Sequence, residues 1–361
     1  MAKFEGVQWG SAQLQYLLSE KSSSLLPGRA KAHTVTRSIH YGLFLVFEGI
    51  RFFVAETDGH LEIRFLNWHL NRSRFRKGMA YSLGFEQQSM LPTDEELENL
   101  LIEFLASKEL RPFLKEMADS HAQGYLRPYT LDEEQSIGVT FPAKPAIRAA
   151  LCRYDRYLGE PFEGVVVPQL VRAVRSNQTG CLKLGTNYLM SVKAVESARK
   201  LVPQASAALF LDDQCHLPLR DREVTEWDSS CCLFAFRDGT IVKIPEGPLI
   251  LPSVTIQGVT DLARAKGITV EERPMTYGEL LERTQSKELI TMCSLGTAGI
   301  LNRVQRLHMP DLEGNILEIH QADDTHSLYE IMGTLRSEYW NLYTQSETPP
   351  EPFVRSSYVL P

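Results

Sequence analysis

Between Cys152 and Phe162 the chain loses its apolar patterning: Arg153 to Pro161 is a charged run that closes on Gly159 and Pro161. A stretch of this kind marks a crossing between folding units rather than the inside of one. The chain has 361 residues, and surface-to-volume scaling splits chains beyond about 250–300 residues into separate cores. The expectation is therefore a small domain over 31–152 and a larger one over 162–343, joined by the linker 153–161. Residues 1–30, polar with a serine run at Ser22–Ser24, read as an N-terminal extension. Residues 344–361, with Pro349, Pro350 and Pro352, read as an extended or mobile tail.

Local patterning fills in these spans. Leu43 to Arg51, Phe52 to Ala55 and Leu61 to Leu66 read as strands, the last two separated by the turn Asp58-Gly59. Thr93 to Ser107 predicts a helix: Thr93 with Glu96 makes a capping box, and Leu97, Leu100, Leu101, Phe104 and Leu105 share one face. Tyr125–Thr130 and Ala146–Cys152 are strand-like. Beyond the linker come the apolar run Gly164–Val167, a helix from about Leu189 to Leu201, and strands at Ala207–Leu211, Cys232–Phe236 and Thr240–Ile244. A helix from about Ile256 stops at Gly267, Ile268–Glu272 is a strand, and Leu328–Tyr343 is a last amphipathic helix. Strands and helices mix without a steady βαβ rhythm. The fold class is therefore α+β, two domains with a ligand cleft at their interface.

Composition narrows the function. A formal net charge of -7 without a basic block argues against nucleic acid or an anionic membrane as partner. No run approaches the roughly 18 to 20 apolar residues that a membrane span requires, and no signal-peptide pattern opens the chain. The six cysteines form no CxxC pair and read as reduced thiols of a cytoplasmic protein. The nine histidines are scattered, so no metal site is expected.

Several residues resist explanation as core or surface. Lys183 lies in Leu182-Lys183-Leu184-Gly185-Thr186-Asn187-Tyr188, directly ahead of a helix. By type a lysine is a solvated charge. One crowded by small residues can instead condense with an aldehyde, provided the backbone comes close and its pKa can shift. Glu226 follows Val224-Thr225 in a strand, where a carboxylate is costly to bury without a cation. An exposed strand end would be the plainer reading; a protonated pyridine nitrogen would be a suitable partner. Pro252-Ser253-Val254-Thr255 opens a helix, either as an ordinary cap or as an anion site. Ser294-Leu295-Gly296-Thr297-Ala298 is a small-residue loop, either a turn or a set of N–H donors. Tyr125 and Arg127 fall on one face of an extended strand, as surface ion-pair partners or as a carboxylate clamp. Pyridoxal phosphate is the common cofactor that asks for all these parts together.

The order of these motifs resembles the class IV pyridoxal-phosphate aminotransferases, branched-chain amino acid aminotransferases most of all. Ile39-His40-Tyr41-Gly42 through Phe47-Glu48-Gly49-Ile50-Arg51 is similar to that family's N-terminal signature, and His69-Leu70-Asn71-Arg72 to its phosphate-arginine segment. Arg74 and Arg76 stand close to Arg72. The resemblance implies a two-domain fold type IV enzyme with its active site at the domain interface. Lys183 would hold the cofactor as a Schiff base and move a proton between Cα and C4′. Arg72, Tyr188, Glu226, Val254, Thr255 and Thr297 would bind the cofactor, Glu226 at its ring nitrogen. Tyr125, Thr297 and Ala298 would hold the substrate α-carboxylate, and Tyr41 and Arg127 the distal carboxylate of glutamate. It further implies ping-pong transfer between an L-amino acid and a 2-oxo acid, and a homodimer.

The chain also departs from the family. Trp227-Asp228 and Cys231-Cys232 follow Glu226 where small residues and Asn are usual, and Leu184-Gly185-Thr186 replaces paired glycines. Ser253 stands where glycine is typical, and the N-terminal arm and the segment from Pro310 are longer. These changes suggest that Trp227 alters the pocket wall. They keep open a D-amino acid or amine transaminase, or a lyase, of a specialised pathway. A non-catalytic cofactor-binding homologue is a third reading, opposed by the retention of Lys183 and Glu226.

Overall fold

The computed structural model describes residues 3–158, 160–172 and 179–361, so Gly159 of the expected linker lies outside the described residues. The chain divides into two compact units. The first comprises Phe4–Asp155, Leu182–Thr186 and Leu342–Pro361; the second holds Lys3, Arg156–Cys181 and Asn187–Asn341.

The first unit is built on an eight-stranded sheet. Ile50–Thr57 and His60–Leu66 pair across the expected turn, where Asp58 and Gly59 take φ of 51° and 78°. Two consecutive left-handed residues make the tight turn whose twist matches the flanking strands. Gly124–Asp132 and Pro145–Arg153 run antiparallel beside them. Asp94–Leu105 is the capped helix, with Thr93 and Glu96 bonding reciprocally and the expected five apolar residues buried. The helices Trp68–Ser82 and Arg111–Asp119 accompany it.

Two expectations are corrected here. The expected N-terminal extension is not a loose arm over its described residues 3–30: Ala12–Leu17 pairs with Pro145–Arg153 on one side and with Ser22–Pro27 on the other. Ala12, Leu14 and Leu18 are buried, so the alternation Ala12-Gln13-Leu14-Gln15 is a strand signal; the serine run is its polar edge partner. The tail likewise ends in a strand, Arg355–Val359, antiparallel to His60–Leu66. Tyr358 packs edge-on against Phe65 and Trp68, which are themselves stacked at 4.3 Å. The apolar run from Leu43 also becomes a strand only at Ile50, because Phe44 at φ 55° interrupts the extended backbone.

The second unit carries a nine-stranded mixed sheet. Phe162–Val166 lies parallel to both Ala207–Leu211 and Ile300–Pro310. The helix Tyr188–Leu201 packs its small residues Ala194 and Ala198 onto Val165, Ala208 and Phe210, forming a dry core cluster. Val224–Trp227 edges the sheet, and Cys231–Phe236 pairs with Leu289–Gly296. The helices Val254–Ala265 and Tyr277–Gln285 complete the layer. Among the described residues no helix is long and apolar enough to cross a membrane.

Lys183 belongs to the first unit, not to the larger domain in which the sequence places it. Two backbone bonds explain this: Phe47 N–H donates to the Lys183 carbonyl at 3.0 Å, and Gly185 N–H to the Leu45 carbonyl at 2.8 Å. Val46 and Leu184 form a bridge between them.

Candidate active site

In the first unit, the chemistry gathers around Phe47. The half-buried Lys183 sets Nζ 5.1 Å from the Phe47 ring centroid, and the Arg127 guanidinium sits 4.6 Å from the same centroid. Arg127 donates to the Tyr125 hydroxyl at 2.6 Å, as their i, i+2 spacing on Gly124–Asp132 allows. Gly49 makes room for that hydroxyl: a Cβ there would lie 2.0 Å from it. The first unit thus brings Lys183, Arg127 and Tyr125 together, with Phe47 as the common surface.

Beside Phe47, Glu48 is 0% exposed and takes both oxygens to Arg74, at 2.7 Å from Nε and 2.6 Å from Nη2. Gly49 N–H donates to the same carboxylate at 2.7 Å. Burial works against a charged Glu48, yet the Arg74 guanidinium and, more weakly, Lys183 overcome it and hold the carboxyl below its ordinary range.

Arg72 points elsewhere. Residues two apart on a helix diverge, while those four apart share a face. Arg72 and Arg76 accordingly both meet the helix Asp94–Leu105: Arg72 pairs with Glu98 and lies 4.4 Å over Trp68, and Arg76 bonds Asp94 at 3.1 Å. Of the three neighbouring arginines, Arg74 is the one that shares Glu48 with Lys183. Tyr41 ends the short helix Arg37–Tyr41 and is exposed, its hydroxyl accepting from Gly138 N–H at 3.4 Å. Gly42 caps that helix at φ 68°, where the Thr186 methyl fills the space a Cβ would need.

In the second unit, Glu226 is buried in the strand Val224–Trp227 and pairs with Arg172 at 2.7 Å; their side chains are 3% and 4% exposed. Arg172 also donates to the Gly180 carbonyl at 3.3 Å and lies 5.7 Å from the Tyr188 ring centroid. Tyr188 is the first residue of its helix. Ahead of it, Asn187 is held by two bonds to Thr179, at 2.8 and 2.7 Å. Val254 and the buried Thr255 open the helix Val254–Ala265, with Ser253 as N-cap accepting from Ile256 N–H at 3.3 Å. The strand Leu289–Gly296 takes in Ser294, Leu295 and Gly296 of the expected loop, and Gly296 pairs with Ile300. Thr297 and Ala298 are therefore the tip of a hairpin. Ser230 reaches its base by a 2.6 Å bond to Ser294.

Trp227 is not a pocket wall. It alternates away from Glu226, is 0% exposed, donates to the Cys293 carbonyl at 3.2 Å and packs edge-on against Phe162. Its ring occupies the space beside Gly164, which a Cβ would enter at 2.6 Å. Cys231 and Cys232 are buried thiols directed to the carbonyls of Leu251 and Thr225.

Sequence reasoning missed Arg172, Arg74, Glu48 and Phe47 as site residues. Arg172 had a readable signal: an arginine inside Val165-Val166-Val167-Pro168-Gln169-Leu170-Val171 and its continuation is as costly to bury unpaired as Glu226 is in its strand.

Known proteins share both the sequence pattern and the fold. The amino-transferase class IV family matches residues 45–297, more than two thirds of the chain. A probable branched-chain-amino-acid aminotransferase of Staphylococcus aureus is 26% identical over 310 residues, covering 84% of this chain and 80% of that protein. Branched-chain-amino-acid transaminase 1 of Bacillus subtilis is 26% identical over 274 residues, 75% and 71% of the two chains. The fold is that of the branched-chain amino acid aminotransferase from Escherichia coli, with a TM-score of 0.67 at 19% identity over 94% of this chain and 97% of that one. The branched-chain aminotransferase from the thermophilic archaeon Thermoproteus uzoniensis, solved with norvaline, superposes with a TM-score of 0.67 at 20% identity, over 92% and 95%. The chain therefore belongs to the class IV aminotransferases.

Proposed function

We propose that this chain is a pyridoxal-phosphate-dependent aminotransferase of branched-chain type, passing an amino group from an apolar L-amino acid to 2-oxoglutarate by a ping-pong mechanism. One observation carries the reading: Lys183 is clamped by backbone bonds at its own carbonyl and at Gly185, with Nζ laid over Phe47 beside Arg127 and Tyr125. A solvated surface lysine needs no such clamp. The relatives named for branched-chain substrates support the substrate class.

The donor set fits the cofactor. A primary amine, a buried acid and a capped helix start are three chemistries it requires, and each is built into its unit. When bound, the cofactor supplies an electron sink for the carbanion at the substrate Cα. Lys183 holds and moves the proton at that carbon. Glu226 would pair with the ring nitrogen, and Val254 and Thr255 would offer N–H and hydroxyl donors to the phosphate. Tyr188 and Thr297 are assigned to the cofactor, and Thr297 with Ala298 and Tyr125 to the substrate carboxylate. Arg127 and Tyr41 are assigned to the distal carboxylate of glutamate. Arg72 was the arginine expected at the phosphate; Arg74, which shares Glu48 with Lys183, is now the better candidate. A homodimer belongs to the same reading. The six cysteines, read as reduced thiols, accord with a reducing compartment such as the cytoplasm.

The test is spectroscopic and then enzymatic. Purified protein should absorb at roughly 410 nm with cofactor bound to a lysine, and Lys183→Ala should lose that band. L-Leucine with 2-oxoglutarate should give glutamate. A panel adding D-alanine and aryl amines separates the other transaminases, and no transfer from any L-amino acid would sink the proposal.

A further inference from the structure

We propose that Arg172 is a positioning residue for the reaction: its guanidinium holds Glu226 as a buried anion and ties it to Tyr188, so that the acceptor for the cofactor's ring nitrogen exists before the cofactor binds. The inference rests on the functional reading above.

The geometry is confined to the second unit. Arg172 touches Glu226 at 2.7 Å, the Gly180 carbonyl at 3.3 Å and the face of Tyr188, and both charged side chains are almost wholly buried. A carboxylate in such surroundings takes up a proton unless a cation stands against it. A neutral acid would be a poor partner for a pyridinium. Arginine is the side chain suited to the task, because its guanidinium does not lose its proton in a dry site, whereas a buried lysine readily does. Among the described residues, Tyr188, Cys231 and Cys232 are ionisable groups beside the pair. None of them carries a permanent positive charge, so among these groups the duty falls to Arg172.

A plainly structural pair would look different in one respect. Buried ion pairs add little net stability over apolar pairs of similar volume, so stability alone does not account for this one. What an Arg–Glu pair supplies and an apolar pair cannot is a fixed charge at a fixed place. That place lies between Tyr188 and Glu226, two residues assigned to the cofactor.

The experiment is a double-mutant cycle read by cofactor binding rather than turnover. Cofactor-free full-length wild type, Arg172→Met, Arg172→Lys, Glu226→Gln and the double variant Arg172→Met/Glu226→Gln are titrated with pyridoxal 5′-phosphate. Affinity, absorbance spectrum and thermal midpoint are recorded for each. Arg172→Met should bind the cofactor at least about tenfold more weakly and shift the spectrum in the same direction as Glu226→Gln. Arg172→Lys should recover part of the loss. The double variant should bind no more weakly than Glu226→Gln alone, since an acid that is absent cannot be held charged. Should Arg172→Met misfold, the lysine variant and the double variant, which leaves no orphan charge, still carry the reading. Additive losses with an unchanged spectrum would overturn the proposal, as would wild-type affinity in Arg172→Met. A wild type that takes up no cofactor would overturn the functional reading and this inference with it. A wild type that loads normally beside indifferent Arg172 variants would overturn this inference alone.

Discussion

Two buried arginine–glutamate pairs, one in each unit, are put to different uses. Glu48 gives both oxygens to Arg74 and accepts Gly49 N–H as well, a forked arrangement with bonds of 2.6 to 2.7 Å. Arg172 spreads its contacts over Glu226, the Gly180 carbonyl and the Tyr188 ring. The first pair is bidentate and fixes the helix Trp68–Ser82 to the segment that carries Phe47. The second is shared, with an arginine serving several groups at once. A forked pair sets one carboxylate in one geometry, whereas a shared one spreads the arginine's charge over several groups. Burial alone therefore does not describe what a pair holds in place; the way in which the bonds are distributed does.

The comparison can be broken in several places. The largest effect is expected at the lysine beside the forked pair: Lys183→Ala should lower kcat by about a thousandfold or more while leaving the thermal midpoint in place. A large loss of stability instead would mean that Lys183 belongs to the clamp. Arg74→Met leaves Glu48 buried without its guanidinium and should cost about 3–5 kcal/mol in denaturant unfolding, part of it recovered by replacing Glu48 with leucine as well. An indifferent Arg74→Met would end the claim that this pair holds the helix in place.

Acid titration sharpens the contrast. Burial pushes the His320 imidazole down to about 4. The unfolded chain takes up that proton near 6.5 and the folded chain only near 4, so stability should fall as pH drops between those values, by on the order of 3 kcal/mol. Glu48 has the opposite chemistry but the same direction: its lowered folded value means stability present above the ordinary carboxylate range and lost as pH falls below it. His320→Leu should remove the upper window and leave the lower one, visible in unfolding free energies measured from about pH 7 to 3. The smallest effect is expected at Trp227→Phe, about 1–2 kcal/mol for a lost hydrogen bond and a small cavity. Its cofactor affinity and KM should match wild type. A change in KM would return Trp227 to the pocket.

How much of this was legible follows from which signals are local. The capping box at Thr93 and Glu96, the turn at Asp58-Gly59 and the helix face from Leu97 to Leu105 are encoded within a few residues, and the structure has them where they were expected. Lys183, Glu226 and the Tyr125–Arg127 strand were visible as residues out of keeping with their surroundings. Arg172 carried the same kind of signal but was passed over, because a buried arginine becomes informative only when its partner is known to be within reach. Arg72 against Arg74 could not be settled from spacing alone. Both lie in a helix whose orientation depends on Asp94–Leu105, and the partners Glu98 and Glu48 are 26 residues away from each arginine in opposite directions. Trp227 was misjudged for a simpler reason: in a strand, the residue next to a site residue faces the other way.

The strand Arg355–Val359 has a consequence in time. The first unit begins near Phe4, is interrupted by most of the second unit, and is completed by residues beyond Leu342. During synthesis its sheet must wait, one flank of His60–Leu66 uncovered, until Arg355–Val359 has left the ribosome. By then all of the second unit's residues have emerged. An uncovered strand flank is where chains join wrongly. Vulnerability to aggregation should therefore peak late in translation, and shortening the chain before Arg355 should harm the first unit more than its few residues suggest.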